Sequence, residues 1–267
     1  MDALQDLVDS VEAAVKAGEF GTAMRLIGEN LAETWYGFRP ERLRVILASI
    51  IDAGADQVGL ARALHAAVAP GQGQRIRDAD VANALTRTEA PVESISQLAR
   101  AFELRLRGRA GDALRILDTL DRQMHDVQTL FDSRDGWDLL ISVQCGITAM
   151  LAGEFKRALT YFTFAQLHPM VPSLAFLTRD AYVKAALVHG AFGDSADARN
   201  ALEQADRIPR TSSWAEPLID ADVTLVRALA SSGEDSMELI DSVPLQDIGE
   251  MWPFYAIALR RVHGHSG

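Results

Sequence analysis

The chain has 267 residues, 48% of them hydrophobic and 24% charged, and 26 Lys and Arg against 37 Asp and Glu leave a formal charge of −11. That length supports a substantial buried core, in one large domain or two small ones. The acidic balance excludes a surface built to neutralise phosphate backbones and a basic anchor on a membrane, and a single cysteine, Cys145, excludes an internal disulfide or a cysteine zinc site.

Ala and Leu, 41 and 31 in number, dominate the composition and lead the helix-propensity ranking, so helix is expected throughout. Met1 to Asp6 has neither a cationic region nor a long apolar run, so no secretory leader is expected, and the lone cysteine suits a reducing cytoplasm. Punctuation follows at Gly18, Gly37-Phe38-Arg39-Pro40, Pro70-Gly71-Gln72-Gly73 and Pro91. Leu98, Phe102 and Leu106 recur at four-residue steps, and Leu114, Leu117 and Leu120 at three, both helical spacings. Asp132-Ser133-Arg134-Asp135-Gly136-Trp137-Asp138 has the look of a calcium loop. Arg134 in the third position, Gly136 in the fifth and Val143 in the twelfth rule that out, so a turn with Asp135 as N-cap is expected. Leu139 to Leu151 is an apolar helix with Cys145 buried inside it, an inert thiol away from any electropositive setting. The 21 residues between Arg157 and Arg179 carry no charge, but Pro169 and Pro172 in their midst would break a spanning helix, so two buried helices joined by a Pro turn are expected. Val183 and Leu187 continue the helical spacing, with further breaks at Pro209 and Pro244. Roughly 13 to 14 helices result.

A repeat runs through this pattern. A Gly followed five residues later by Ala occurs as Gly18…Ala23, Gly108…Ala113, Gly153…Ala158 and Gly193…Ala198, with a degenerate copy at Gly233; the three steps from Gly108 to Gly233 are 45, 40 and 40 residues. The Gly ends one helix in the left-handed conformation, an acidic residue such as Glu19, Glu154 or Asp194 opens the next, and the Ala lets the two helices pack closely. Large residues follow at helical spacing, among them Phe162, Leu202, Leu117 and Leu120, and Gly146 and Ala186 stand seven before the turn where the hairpin helices cross.

The unit from Leu139 to Pro169, with Gly146, Ala149, Gly153, Ala158, Phe162, Ala165 and Pro169 in order, resembles the tetratricopeptide repeat, as does that from Arg179 to Pro209. The 40-residue period is most similar to the helical-repeat region of the large ATP-dependent LuxR-type bacterial regulators of the maltose-activator kind. No P-loop GxxxxGK[ST] and no C-terminal helix-turn-helix is recognisable. The resemblance implies an all-α, right-handed superhelical solenoid of antiparallel helix pairs. Residues 1–90 would be degenerate repeats and residues 91–267 the better-formed ones with a C-terminal capping helix, in one continuous array.

Chemistry is sparse. None of His65, His125, His168, His189, His263 and His265 stands at a recognised metal spacing, and His168 and His189 are expected to pack or cap. Gly71-Gln72-Gly73-Gln74 lacks the context of a phosphate cradle, and no GxSxG is present, so no catalytic residue, metal or cofactor is expected. A binding surface remains. In a solenoid the first helices line a groove; the register places Phe102, Arg105, Gln144, Ile147, Asp180, Lys184, Asp220 and Arg227 there, with Arg105, Lys184 and Arg227 able to hold a carboxylate-bearing segment. The expected function is a non-enzymatic binding or scaffold module for a protein segment, peptide or small effector in bacterial regulation, touching neither nucleic acid nor membrane. An all-α enzyme with an unrecognised pocket is the alternative. The stretch between Arg227 and Arg260, with Glu234, Asp235, Glu238, Asp241, Asp247 and Glu250 and no cation, reads as a solvated acidic face or a surface for a basic partner.

Overall fold

A computed structural model describes residues 2–56, 59–68, 90–126, 136–192, 194–231 and 234–264. Among these residues the chain is all-helical, with no strand and fourteen α-helices. In chain order these are α1 (Ala3–Lys16), α2 (Phe20–Glu29), α3 (Leu31–Gly37), α4 (Pro40–Asp52), α5 (Leu60–Ala67), α6 (Ala90–Leu106) and α7 (Ala110–Asp126). Then follow α8 (Trp137–Leu151), α9 (Phe155–Leu167), α10 (Ala175–Phe192), α11 (Ser195–Asp206), α12 (Glu216–Ala230), α13 (Glu234–Asp241) and α14 (Trp252–Gly264). Short 3₁₀ turns cover Pro172–Leu174 and Gly249–Met251. The uncharged stretch is α9 from Ala158 onward, the first of these turns and the start of α10, and no helix of the described residues is long and apolar enough to cross a membrane.

The turn chemistry expected of the repeat is present at atomic level. Gly18, Gly108 and Gly153 have φ of 76°, 74° and 81°, a region that Gly enters without steric penalty. After each, the next N–H reaches back five residues: Glu19 to the Ala14 carbonyl, Arg109 to Leu104, Glu154 to Ala149, each at 2.8 Å. That bond satisfies a carbonyl that the helix end would otherwise orphan. Asp194 makes the same bond to His189 at 3.0 Å; Gly193 and Gly233 lie outside the described residues, as do Gly71 to Gln74 and Asp135. Ala23, Ala113, Ala158 and Ala198 are all fully buried. The acidic residues behave less uniformly. Asp194 caps α11 by accepting from the Asp197 N–H at 3.1 Å, whereas Glu19 and Glu154 occupy cap positions with no capping bond, their side chains being one methylene longer than the short acceptors that suit this role.

The chain divides into two compact units. The first comprises Met1–Ile141 with Ser212–Trp214. Asp2 caps α1 through the Leu4 N–H and also accepts the Ser212 N–H at 2.6 Å, while Ser213 Oγ donates to the Tyr36 carbonyl and the Trp214 indole N–H to that of Trp35. In the same unit Gly37 approaches α1 so closely that a Cβ there would lie 2.9 Å from Val8 Cγ2.

The second unit comprises Ser142–Thr211 and Ala215–Gly267 and is organised around α10. Fourteen of the eighteen α10 residues are buried. A helix covered on all sides needs neighbours all round, and α9, α11, α12 and α14 supply them. Phe162 of α9 fills the notch left by Gly146 of α8: a Cβ on Gly146 would stand 2.5 Å from its ring. Arg261 of α14 donates to the Gly190 and Ala191 carbonyls at 2.6 and 2.5 Å, closing the C-terminus of α10 with a cation, the charge that end of a helix favours.

Candidate functional site

The eight residues expected to line a groove are dispersed between the two units, and most are buried. In the first unit Phe102 stacks on Trp35 with ring centroids 5.9 Å apart, and the buried Arg105 guanidinium lies 4.8 Å over the Phe102 ring. In the second, Gln144 and Ile147 of α8 are buried. Asp180 and Lys184 are buried in α10, Asp220 is half-buried in α12 and Arg227 is exposed. Only Arg227, of the three cations expected to hold a partner, presents itself to solvent.

Lys184 and Asp180 instead belong to an internal charge cluster. Lys184 Nζ donates to Asp180 Oδ1 at 2.9 Å, one helical turn back, and to Asp222 Oδ2 on α12. Lys184 is 5% exposed and Asp222 2%. Burial works against the charge on Lys184, but the two carboxylates overcome it and hold the ammonium protonated well above its usual range. Asp222 shows the opposite balance: burial raises its pKa to about 6 despite the pull of Lys184, with Asp180 adding repulsion. Its second oxygen, Oδ1, is buried without a hydrogen-bond partner.

One turn nearer the start of α10, Arg179 reaches α12 as well. It donates to Glu216 Oε2 at 2.6 Å and to Asp220 Oδ1 at 2.8 Å. Arg210 donates to the other Asp220 oxygen at 2.5 Å, and the Thr211 N–H to Glu216 Oε1 at 2.8 Å. Burial raises the Asp220 pKa, but the hydrogen bonds from Arg179 and Arg210 outweigh it and leave the carboxyl below its usual range. The two clusters rivet α10 to α12; their atoms face each other rather than a cavity.

Accessible concavity lies nearer the C-terminal end of α10, against α9. A hollow of about 600 Å³ opens between α9 and α10. Phe155, Leu159, Val188 and Phe192 make its lining largely apolar, and Lys156, Arg157 and Glu154 supply its charged groups. Phe155 and Phe192 meet edge to face at 4.9 Å, yet Phe192 is 65% exposed. Lys156 is exposed, and Arg157 pairs with Glu154 at 3.3 Å while covering the Tyr161 ring. A second, polar hollow of about 350 Å³ lies between α9, α10 and α11, with Gln166, Tyr182, Asn200 and Gln204 in its walls. Leu159 and His189 border both.

Sequence reasoning anticipated neither hollow. Asp180 and Lys184 are legible as an i,i+4 pair, but their partner Asp222 is 38 residues further on, and no local spacing announces such a contact. Phe192 had a signal, a large apolar residue next to a turn where repeats place small or polar ones. No protein family, curated protein or solved structure matches the chain.

Proposed function

We propose that the chain is a binding module that receives an acidic, apolar segment of a partner protein in the hollow between α9 and α10. The observation that carries this reading is the exposed Phe192 ring over an apolar hollow walled by Phe155, Leu159 and the buried Val188, beside Lys156. A large aromatic ring left two-thirds in water gains from being covered, and a cation at the edge of an apolar pocket selects an anchor residue flanked by a carboxylate. The turn chemistry of the helix pairs and the resemblance of the sequence to the repeat region of LuxR-type regulators support a tetratricopeptide-like solenoid acting in cytoplasmic regulation. The rigid α10–α12 charge clusters suit a scaffold that presents a surface without rearranging.

Fluorescence anisotropy with labelled peptides tests this. Peptides with Leu or Phe at helical spacing flanked by Glu are expected to bind, more weakly as salt rises, and their Lys-flanked counterparts are not. Lys156→Glu and Phe192→Ser are each expected to weaken binding by roughly tenfold, a loss of about 1.4 kcal/mol. Equal binding of the Glu- and Lys-flanked sets, or binding untouched by both variants, overturns the reading. So does a dimeric wild type that Phe192→Ser renders monomeric, since the hollow would then be the seat of a second copy.

A further inference from the structure

The turn between α10 and α11 places three metal-ligating side chains together. His189 in the last turn of α10, Asp194 at the N-cap of α11 and Asp197 in its first turn offer one ligand atom each, all within 4.8 Å of one another. We infer that these three residues form a binding site for a first-row transition-metal dication such as Zn²⁺ or Mn²⁺, at the mouth of the polar hollow between α9, α10 and α11. This inference stands apart from the peptide reading: of its three ligands only His189 also lines the apolar hollow.

The spacing in sequence, five residues and then three, matches no helical ligand motif, because the turn between the helices interrupts the period. The turn itself does the assembling. The Asp194 N–H bond to the His189 carbonyl at 3.0 Å folds the start of α11 back over the end of α10. The Asp194 side chain then accepts the Asp197 N–H through Oδ1 at 3.1 Å, leaving Oδ2 for an ion. Bonds of about 2.0–2.2 Å at the tetrahedral angle put ligand atoms roughly 3.4 Å apart, so from the present spread of up to 4.8 Å the two exposed carboxylates must rotate inward by about an ångström or more to share an ion. Both Asp side chains are exposed, and His189, half-buried, supplies the fixed point.

The donor set decides the class of ion. One imidazole nitrogen with two carboxylate oxygens suits Zn²⁺, Mn²⁺, Co²⁺ or Ni²⁺, whereas Ca²⁺ and Mg²⁺ take oxygen-only shells. Two carboxylates and a neutral imidazole also balance a dication in charge. Three protein ligands leave at least one coordination position open. His189 and Asp197 both line the 350 Å³ hollow, so a ligand seated against Gln166, Tyr182, Asn200 or Gln204 lies next to that open position. The site therefore has three convergent ligand atoms and a chamber beside them, which distinguishes it from a capped turn that happens to carry two acids.

The test is isothermal titration of the full chain, stripped with EDTA, with ZnCl₂ and with MnCl₂ at pH 7. His263→Ala and His265→Ala form the background in all samples, because two histidines near the C-terminus would otherwise compete. One ion per chain is expected, with a several-degree rise in Tm on saturation, since the native chain binds and the unfolded one does not. His189→Gln and Asp197→Asn are each expected to weaken binding by roughly tenfold or more while leaving the circular dichroism spectrum unchanged. Asp194→Asn keeps the cap, because Asn is an equally good acceptor there, and is expected to weaken the ion while leaving the apo Tm as it was. Absence of saturable binding overturns the inference, as does binding that His189→Gln leaves intact. Displacement of the bound ion by an equal concentration of Ca²⁺ also overturns it, since that would mean the imidazole takes no part.

Discussion

Removing Lys184 is the most exacting perturbation of the second unit. Lys184→Met preserves the length of the side chain and deletes the ammonium that Asp180 and Asp222 share. At 2.9 Å and an effective dielectric of about 20, one such attraction is worth on the order of 6 kcal/mol, much of it offset by the desolvation of the ions. What remains after the substitution is worse than a lost pair, because two carboxylates are left in one buried space, one of them with an oxygen that already has no partner. The expected cost at pH 7 is about 3–5 kcal/mol, which at a urea slope of about 2 kcal/mol/M lowers the midpoint by about 2 M. The cost depends on pH with a definite sign. Asp222 already titrates at about 6, above its unfolded value, because burial disfavours its charge; such a group stabilises the fold fully below about pH 4 and loses that contribution as pH rises through its folded pKa. Without Lys184 the opposing pull vanishes and the carboxyl is pushed higher still, so the penalty of the variant grows from pH 4 to pH 8. Adding Asp222→Leu removes the stranded charge and is expected to recover about 2 kcal/mol or more. Urea melts of the wild type and both variants at pH 4.5, 6 and 8 measure all of this. A loss under about 1 kcal/mol at pH 7 with an unchanged slope, or a loss that grows toward acid, would refute the buried triad.

Gly146→Ala puts a methyl 2.5 Å from the Phe162 ring, and the overpacking is expected to cost about 1–3 kcal/mol, read as a lower Tm. Gly111→Ala is the contrasting case: it lies in the first turn of α7, where a Cβ meets nothing within 4 Å, so it is expected to leave stability unchanged or raise it by up to about 0.5 kcal/mol. Ala158→Leu forces three extra carbons into a fully buried position and is expected to lower stability by about 1–3 kcal/mol; an unchanged Tm would mean that α9 does not pack as described.

Local chemistry carried far into this chain. Composition alone makes it helical, because Ala and Leu lose little on entering a helix. The turns at Gly18, Gly108 and Gly153 are written in the sequence because only Gly takes a positive φ there at no steric cost, and the Ala five residues on is buried because the same turn brings two helix axes close. These features depend on neighbours within one turn of helix, and that is the range over which sequence is legible. The groove residues exceeded that range. Arg105, Asp180 and Lys184 are polar and sit at helical spacing, so nothing local separates a solvent-facing cation from one enclosed by a helix that arrives 38 residues later. Burial of Lys184 was decided by Asp222, that of Arg179 by Glu216 and Asp220, and the closing of α10 by Arg261 of α14. The grouping of His189, Asp194 and Asp197 required the folded turn, and the apolar hollow required the start of α9 and the end of α10 to meet with Phe192 still exposed. Backbone conformation and helix pairing answer to short-range sterics and periodicity, which the sequence states. Which charge is paired and which apolar surface stays uncovered depends on contacts between segments far apart in the chain, and only the tertiary structure decides those.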